Sequence, residues 1–147
     1  MMKNDAVRRS SPWGLAVMVA LAVVHPGCGG DSGTGPSGST TQTSTVNNVA
    51  VLDGAVFSFT APRNGTTDVE VNWNNGNNDI DIFATGGSCP NLDSVVNGAC
   101  PILAIEESST LKPERFSFGV SNGGSYKVWA RNYGPGVESI TFRITVR

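Results

Sequence analysis

From about Val46 onward the chain alternates between apolar and polar positions with a period of two. Phe57 and Phe59 oppose Val56, Ser58 and Thr60. Val69, Val71 and Trp73 alternate with Asp68, Glu70 and Asn72, and Ile80 and Ile82 alternate with Asp79 and Asp81. Phe116, Phe118 and Val120 alternate with Arg115 and Ser117. Tyr126, Val128 and Ala130 alternate with Lys127, Trp129 and Arg131, and Ile140, Phe142, Ile144 and Val146 with Thr141, Arg143 and Thr145. Successive side chains of a strand point to opposite faces, so each run predicts a strand with one dry and one wet face. With Val49–Leu52 and Ile102–Ile105 the pattern gives about eight short strands. Asp53-Gly54, Asn64-Gly65, Asn75-Gly76, Asn97-Gly98 and Asn122-Gly123 separate them, because these pairs tolerate the positive φ of tight turns. No window sustains a helical period. The predicted fold is all-β, an antiparallel β-sandwich over residues 46–147.

Ahead of the sandwich the pattern is different. Residues 29–45 hold only Gly, Ser, Thr, Asp, Pro and Gln. Nothing there can bury an apolar face, so the expectation is a flexible tether spanning roughly 20–25 Å. Before it come the basic residues Lys3, Arg8 and Arg9, the apolar run Leu15 to Val24, and Gly27-Cys28. The run is about half the length of a membrane-spanning helix. It has the make-up of a signal-peptide core, with small Gly27 before the cleavage point. His25-Pro26-Gly27-Cys28 resembles a bacterial lipobox. It implies cleavage before Cys28, a lipid on its sulfur and a membrane as partner. Gly29 stands where an Asp would resemble an inner-membrane retention signal, so the expected address is the outer membrane, with a secreted protein as the alternative. The expected organisation is therefore a signal peptide over 1–27, a lipidated cysteine and tether over 28–45, and the sandwich.

Charge and cysteine content narrow the picture. The whole chain has ten Lys and Arg against twelve Asp and Glu. Without Lys3, Arg8, Arg9 and Asp5 the segment from Cys28 has seven against eleven, a net charge near −4. That balance argues against nucleic acid, which rewards a basic face. Three cysteines are an odd count for an exported chain. With Cys28 lipidated, Cys89 and Cys100 remain as a disulfide pair, in a segment rich in Pro, Asn and Gly. Such a short bridge contributes roughly 2–3 kcal/mol on the chain-entropy model. Free thiols are the alternative.

The order of the strands resembles the bacterial pre-peptidase C-terminal domain. The residues that carry the likeness are Phe57-Ser58-Phe59-Thr60-Ala61-Pro62, the strand Val69 to Trp73, and Asp79-Ile80-Asp81-Ile82-Phe83. They continue with Gly124-Ser125-Tyr126-Lys127-Val128 and the closing run Ile140 to Val146. The resemblance implies a jelly-roll-like sandwich that is not itself catalytic. It also implies company with secreted peptidases, and related modules bind collagen or calcium.

Few residues offer chemistry. Gly30-Asp31-Ser32-Gly33 resembles the nucleophile segment of serine proteases, but the only histidine, His25, precedes the cleavage point. A serine nucleophile needs an imidazole to take its proton, so no enzyme is expected. Asp79 and Asp81 share a strand face beside Asn74, Asn75, Asn77 and Asn78. No cofactor is expected, and calcium, which an oxygen-rich set of this kind suits, is the alternative. The other reading is that the aspartates order the turn and keep that face wet. Trp129, between Lys127 and Arg131, falls on the outward phase of its strand. It either packs beneath a loop or grips a carbohydrate or protein ligand. The expected function is a lipid-anchored, non-catalytic binding or interaction module. A structural spacer and an accessory of a secreted peptidase system are the alternatives.

Overall fold

The computed structural model describes residues 38–147. The expected signal peptide, the lipid on Cys28 and the part of the tether over residues 28–37 lie outside it. The described chain forms eight strands and one short helix. In order these are β1 (Thr40–Val49), β2 (Gly54–Thr60), β3 (Gly65–Trp73), β4 (Asp79–Gly86), α1 (Leu92–Val96), β5 (Ile102–Glu106), β6 (Glu114–Val120), β7 (Ser125–Gly134) and β8 (Glu138–Val146). They build two antiparallel sheets, ordered β1-β8-β3-β6 and β2-β7-β4-β5. Two four-stranded sheets with these crossovers make the jelly roll that the alternation and the family likeness lead one to expect.

The period-two pattern is what the fold buries. Val69, Val71 and Trp73 of β3, Ile80, Ile82 and Ala84 of β4, Val128 and Ala130 of β7, and Ile140, Phe142, Ile144 and Val146 of β8 face one another in a single core. Phe59, Phe118 and Tyr126 cluster at one end with ring centroids 5.6–6.5 Å apart. Apolar area removed from water on this scale is the main favourable term in the fold.

One boundary needs correction. The tether read over residues 28–45 cannot extend past residue 39, because Thr40–Val49 is a strand paired with β8. Backbone pairing needs no apolar side chain. The Thr-rich stretch also has the β-branched residues that fit a pleated surface, and Thr41 and Thr45 hydrogen-bond across the pair to Thr145 and Thr141 at 3.0 and 2.9 Å. The domain therefore begins about six residues earlier than the hydrophobic pattern indicates.

Register fixes the two ends of the sandwich. Thr40 pairs with Val146, Thr67 also meets Val146, and Gly65 pairs with Val120, so the N-terminus of β1 and the C-terminus of β8 lie at one pole. At the opposite pole are the C-terminal ends of β1, β3, β5 and β7 and the N-terminal ends of β2, β4, β6 and β8.

The outer faces of the two sheets differ. Between β4 and β5, residues 87–101 carry α1 and the Cys89–Cys100 disulfide. Asn91 caps α1 by accepting from the Ser94 amide at 2.8 Å. This segment folds back over β7 and β4. Phe83, Cys89, Val95, Cys100 and Trp129 form a second apolar cluster there, with Leu92 packed against it. Gly54 permits the approach, since a Cβ at that position would lie 2.2 Å from Leu92 Cδ2. No such layer covers the outer face of the β1-β8-β3-β6 sheet among the described residues.

Candidate functional site

The structure separates the residues that the sequence singles out into three places. Cys89 and Cys100 are bonded to each other, which settles the pairing against free thiols. Trp129 is 5% exposed and sits beneath the disulfide-bonded segment, with its indole N–H donating to Thr85 Oγ1 at 2.9 Å. The reading of Trp129 as an exposed gripping residue is therefore corrected. The solvent-side phase of β7 is real, but residues 87–101 cover it. Lys127 donates to the Cys89 carbonyl, and its Nζ lies 5.4 Å from the centre of the Trp129 ring. Arg131 stacks over Tyr133 at 5.0 Å. Neither forms a ligand platform with Trp129.

Asp79 and Asp81 converge with a third acid that the sequence reading omits. One carboxylate oxygen from each of Asp79, Asp81 and Glu114 lies within 4.8 Å of the others. β5 reaches only to Glu106, opposite Ile82, and leaves the edge of β4 at Asp79–Asp81 without that neighbour. The first residue of β6 comes against this edge. The signal for Glu114 was present in the alternation: it is in phase with the inward residues Phe116 and Phe118. An acid in an apolar phase calls for an explanation. Burial first, then the negative charge of Asp81, Glu106, Asp79 and Glu107, pushes Glu114 up to about 9. Burial, then Asp79 and Glu107, raises Asp81 to about 6 against the pull of Arg131, its register partner on β7.

Among the described residues neither aspartate side chain hydrogen-bonds the Asn-rich loop before β4. Glu138 does so. Its carboxylate accepts the backbone amides of Asn74 and Asn75 at 3.0 and 2.9 Å and the Asn78 side-chain amide at 2.6 Å. Asn78 also holds the Gly136 backbone through both ends of its amide. The turn-ordering role expected of Asp79 and Asp81 thus belongs to Glu138.

The third place is the open face of the β1-β8-β3-β6 sheet. A depression of about 520 Å³ there is lined by Asp68, Glu70, Arg115, Ser117, Arg143 and Arg147, among others. Arg115 pairs with Glu70 at 2.7 Å, Arg147 pairs with Asp68, and Ser117 donates to Asp68 at 2.8 Å. Arg143 lies in register between Glu70 of β3 and Thr43 of β1 and forms no ion pair among the described residues. Each of these residues belongs to the polar phase of its strand. Only the strand pairing, which no local pattern reveals, brings them onto one surface.

No protein-family model matches the chain, and no curated protein does. Several solved structures align with it at low similarity. The Yersinia pseudotuberculosis-derived mitogen aligns over 75% of this chain and 86% of its own, at 14% identity and a TM-score of 0.49. A periplasmic inhibitor of g-type lysozyme from Aeromonas hydrophila aligns over 74% and 86%, at 10% identity and 0.47. A carbohydrate-binding module of Cellvibrio mixtus lichenase 5A, solved with cellotriose, aligns over 76% and 88%, at 15% and 0.42. All are distant, and what they bind is a property of those proteins.

Proposed function

We propose that this chain is a non-catalytic binding module of the bacterial cell envelope, of the pre-peptidase C-terminal type, and that its ligand docks on the open face of the β1-β8-β3-β6 sheet. The observation that carries the reading is the asymmetry of the two faces. One is sealed by a disulfide-bonded segment, and the other presents a polar depression of about 520 Å³. The ion pairs on that face are exposed. Such pairs contribute about 0–1 kcal/mol each, so a ligand can exchange them for its own hydrogen bonds at small cost. Arg143, without an acidic partner among the described residues, supplies a donor fork for a hydroxyl or an anionic group. The lining contains charged, Ser and Thr side chains, so recognition by hydrogen bonds to a polar carbohydrate or polypeptide fits it best. The disulfide supports an oxidising compartment, and the signal-like start with Gly27-Cys28 supports anchoring by lipid.

Two measurements test the reading. The full chain and its R115A/R143A variant, probed against glycan and matrix-protein arrays, should differ: the wild type binds and the variant loses at least tenfold in affinity, about 1.4 kcal/mol. Binding that the variant retains would move the site elsewhere, and the absence of any binding partner would favour a structural spacer. Cys28→Ala should release the protein from the membrane fraction. A wild type that is already soluble would end the anchoring part of the proposal.

A further inference from the structure

Glu114 occupies a position where a sandwich strand ordinarily carries an apolar side chain. It has no exposed surface, and neither of its carboxylate oxygens meets a hydrogen-bond donor. Asp79 Oδ1 is also buried without a partner. Burying an unpaired carboxylate costs several kcal/mol, and neighbouring acids add repulsion. Arg131, whose charge favours ionised Asp81, answers them only in part. Arg131 lies opposite Asp81 in the ladder, but its guanidinium is over the Tyr133 ring, its Nε is buried without a partner, and it makes no ion pair among the described residues. Glu106 and Glu107 add further negative charge nearby. Three acids from two different sheets therefore converge, and among the described residues none of them forms an ion pair.

We propose that Asp79, Asp81 and Glu114 form a binding site for a divalent cation, and that the ion is calcium. Three oxygens within 4.8 Å of one another share a point no farther than about 2.8 Å from each, so a slight inward adjustment of the side chains brings all three to the 2.3–2.6 Å of calcium–oxygen bonds. The donors are all carboxylate oxygens, which select hard cations over zinc or copper. Calcium tolerates irregular coordination set by a rigid frame, whereas magnesium demands a near-ideal octahedron and keeps its water. The ion would supply the partner that Glu114 lacks and would clamp the first residue of β6 to the free edge of β4, joining the two sheets at one pole. This site is separate from the open sheet face, and either proposal can fail without the other.

The test uses the full chain, stripped of metal with a chelator, then titrated with calcium chloride in a calorimeter and in melting experiments. A single binding event is expected, with a rise in Tm on the order of 10 °C when free calcium exceeds the Kd about a hundredfold. Asp81→Asn and Glu114→Gln should each remove both responses. In chelator, Glu114→Gln should melt no lower than the wild type, because it removes a buried carboxyl that meets no hydrogen-bond donor; a merely structural glutamate would give a loss. The calorimetry needs only the wild type, so it holds even if a variant folds poorly. No heat and no shift up to about 10 mM calcium, ten times the weakest affinity of extracellular modules, would overturn the proposal, as would a response undiminished in both variants.

Discussion

Two buried glutamates show how differently the same side chain can be used. Glu138 is 2% exposed and its carboxylate is surrounded by the amides of the loop that it organises; Glu114 is fully buried and meets no donor. Their substitutions should therefore have opposite consequences. Glu138→Ala leaves the Asn74 and Asn75 amides and the Asn78 side chain without their acceptor. Charge-assisted hydrogen bonds contribute about 1.5–3 kcal/mol each, so a loss of about 3 kcal/mol or more is expected. A urea titration monitored by circular dichroism would show it, and a loss below about 1 kcal/mol would refute the assigned role. Both stand out in the sequence by phase, Glu114 in step with Phe116 and Phe118 of β6 and Glu138 in step with Ile140 and Phe142 of β8, but phase does not tell their roles apart. Glu138 follows a Gly-Pro-Gly turn, and its partners lie some sixty positions earlier in the chain. No local pattern links them.

Among the elements, the strands were legible wherever apolar residues marked one face, and much less so elsewhere. β1 was hidden because its inward positions are Thr40, Gln42 and Ser44, which low complexity disguises as coil. The helix α1 is five residues long, too short to display a helical period. That brief element nevertheless decides the fate of Trp129, because the segment carrying it turns a wet strand face into a second core. The disulfide should hold this cover in place. Reducing the Cys89–Cys100 bond should lower stability by roughly 2–3 kcal/mol while the sheets persist. Tryptophan emission should shift to the red as Trp129 meets water. Unchanged emission after complete reduction would mean that packing of Leu92 and Val95 alone keeps the cover closed.

At the scale of the molecule, the acidic pole should govern how stability responds to pH. Asp81 and Glu114 are held above their ordinary values of 3.8 and 4.5, at about 6 and about 9. Over that window the folded state binds more protons than the unfolded chain, so stability falls as pH rises. Burial sets most of this, with repulsion from Asp79, Glu107 and, at Glu114, Asp81 and Glu106 adding to it, and Arg131 opposing it at Asp81. In chelator, Tm should decline steadily from about pH 5 to about pH 9, and Glu114→Gln should flatten the part of the decline above about pH 6. A flat profile in the wild type would show that Glu114 is less isolated from solvent than its burial implies. Thr40 and Val146 are register partners, so whatever precedes β1 joins the sandwich at the pole opposite Asp79, Asp81 and Glu114. A strand of nine residues is about 30 Å long. A label or fusion partner joined ahead of Thr40 therefore stands about a strand's length from Asp79, Asp81 and Glu114 and leaves that acidic tip unobstructed.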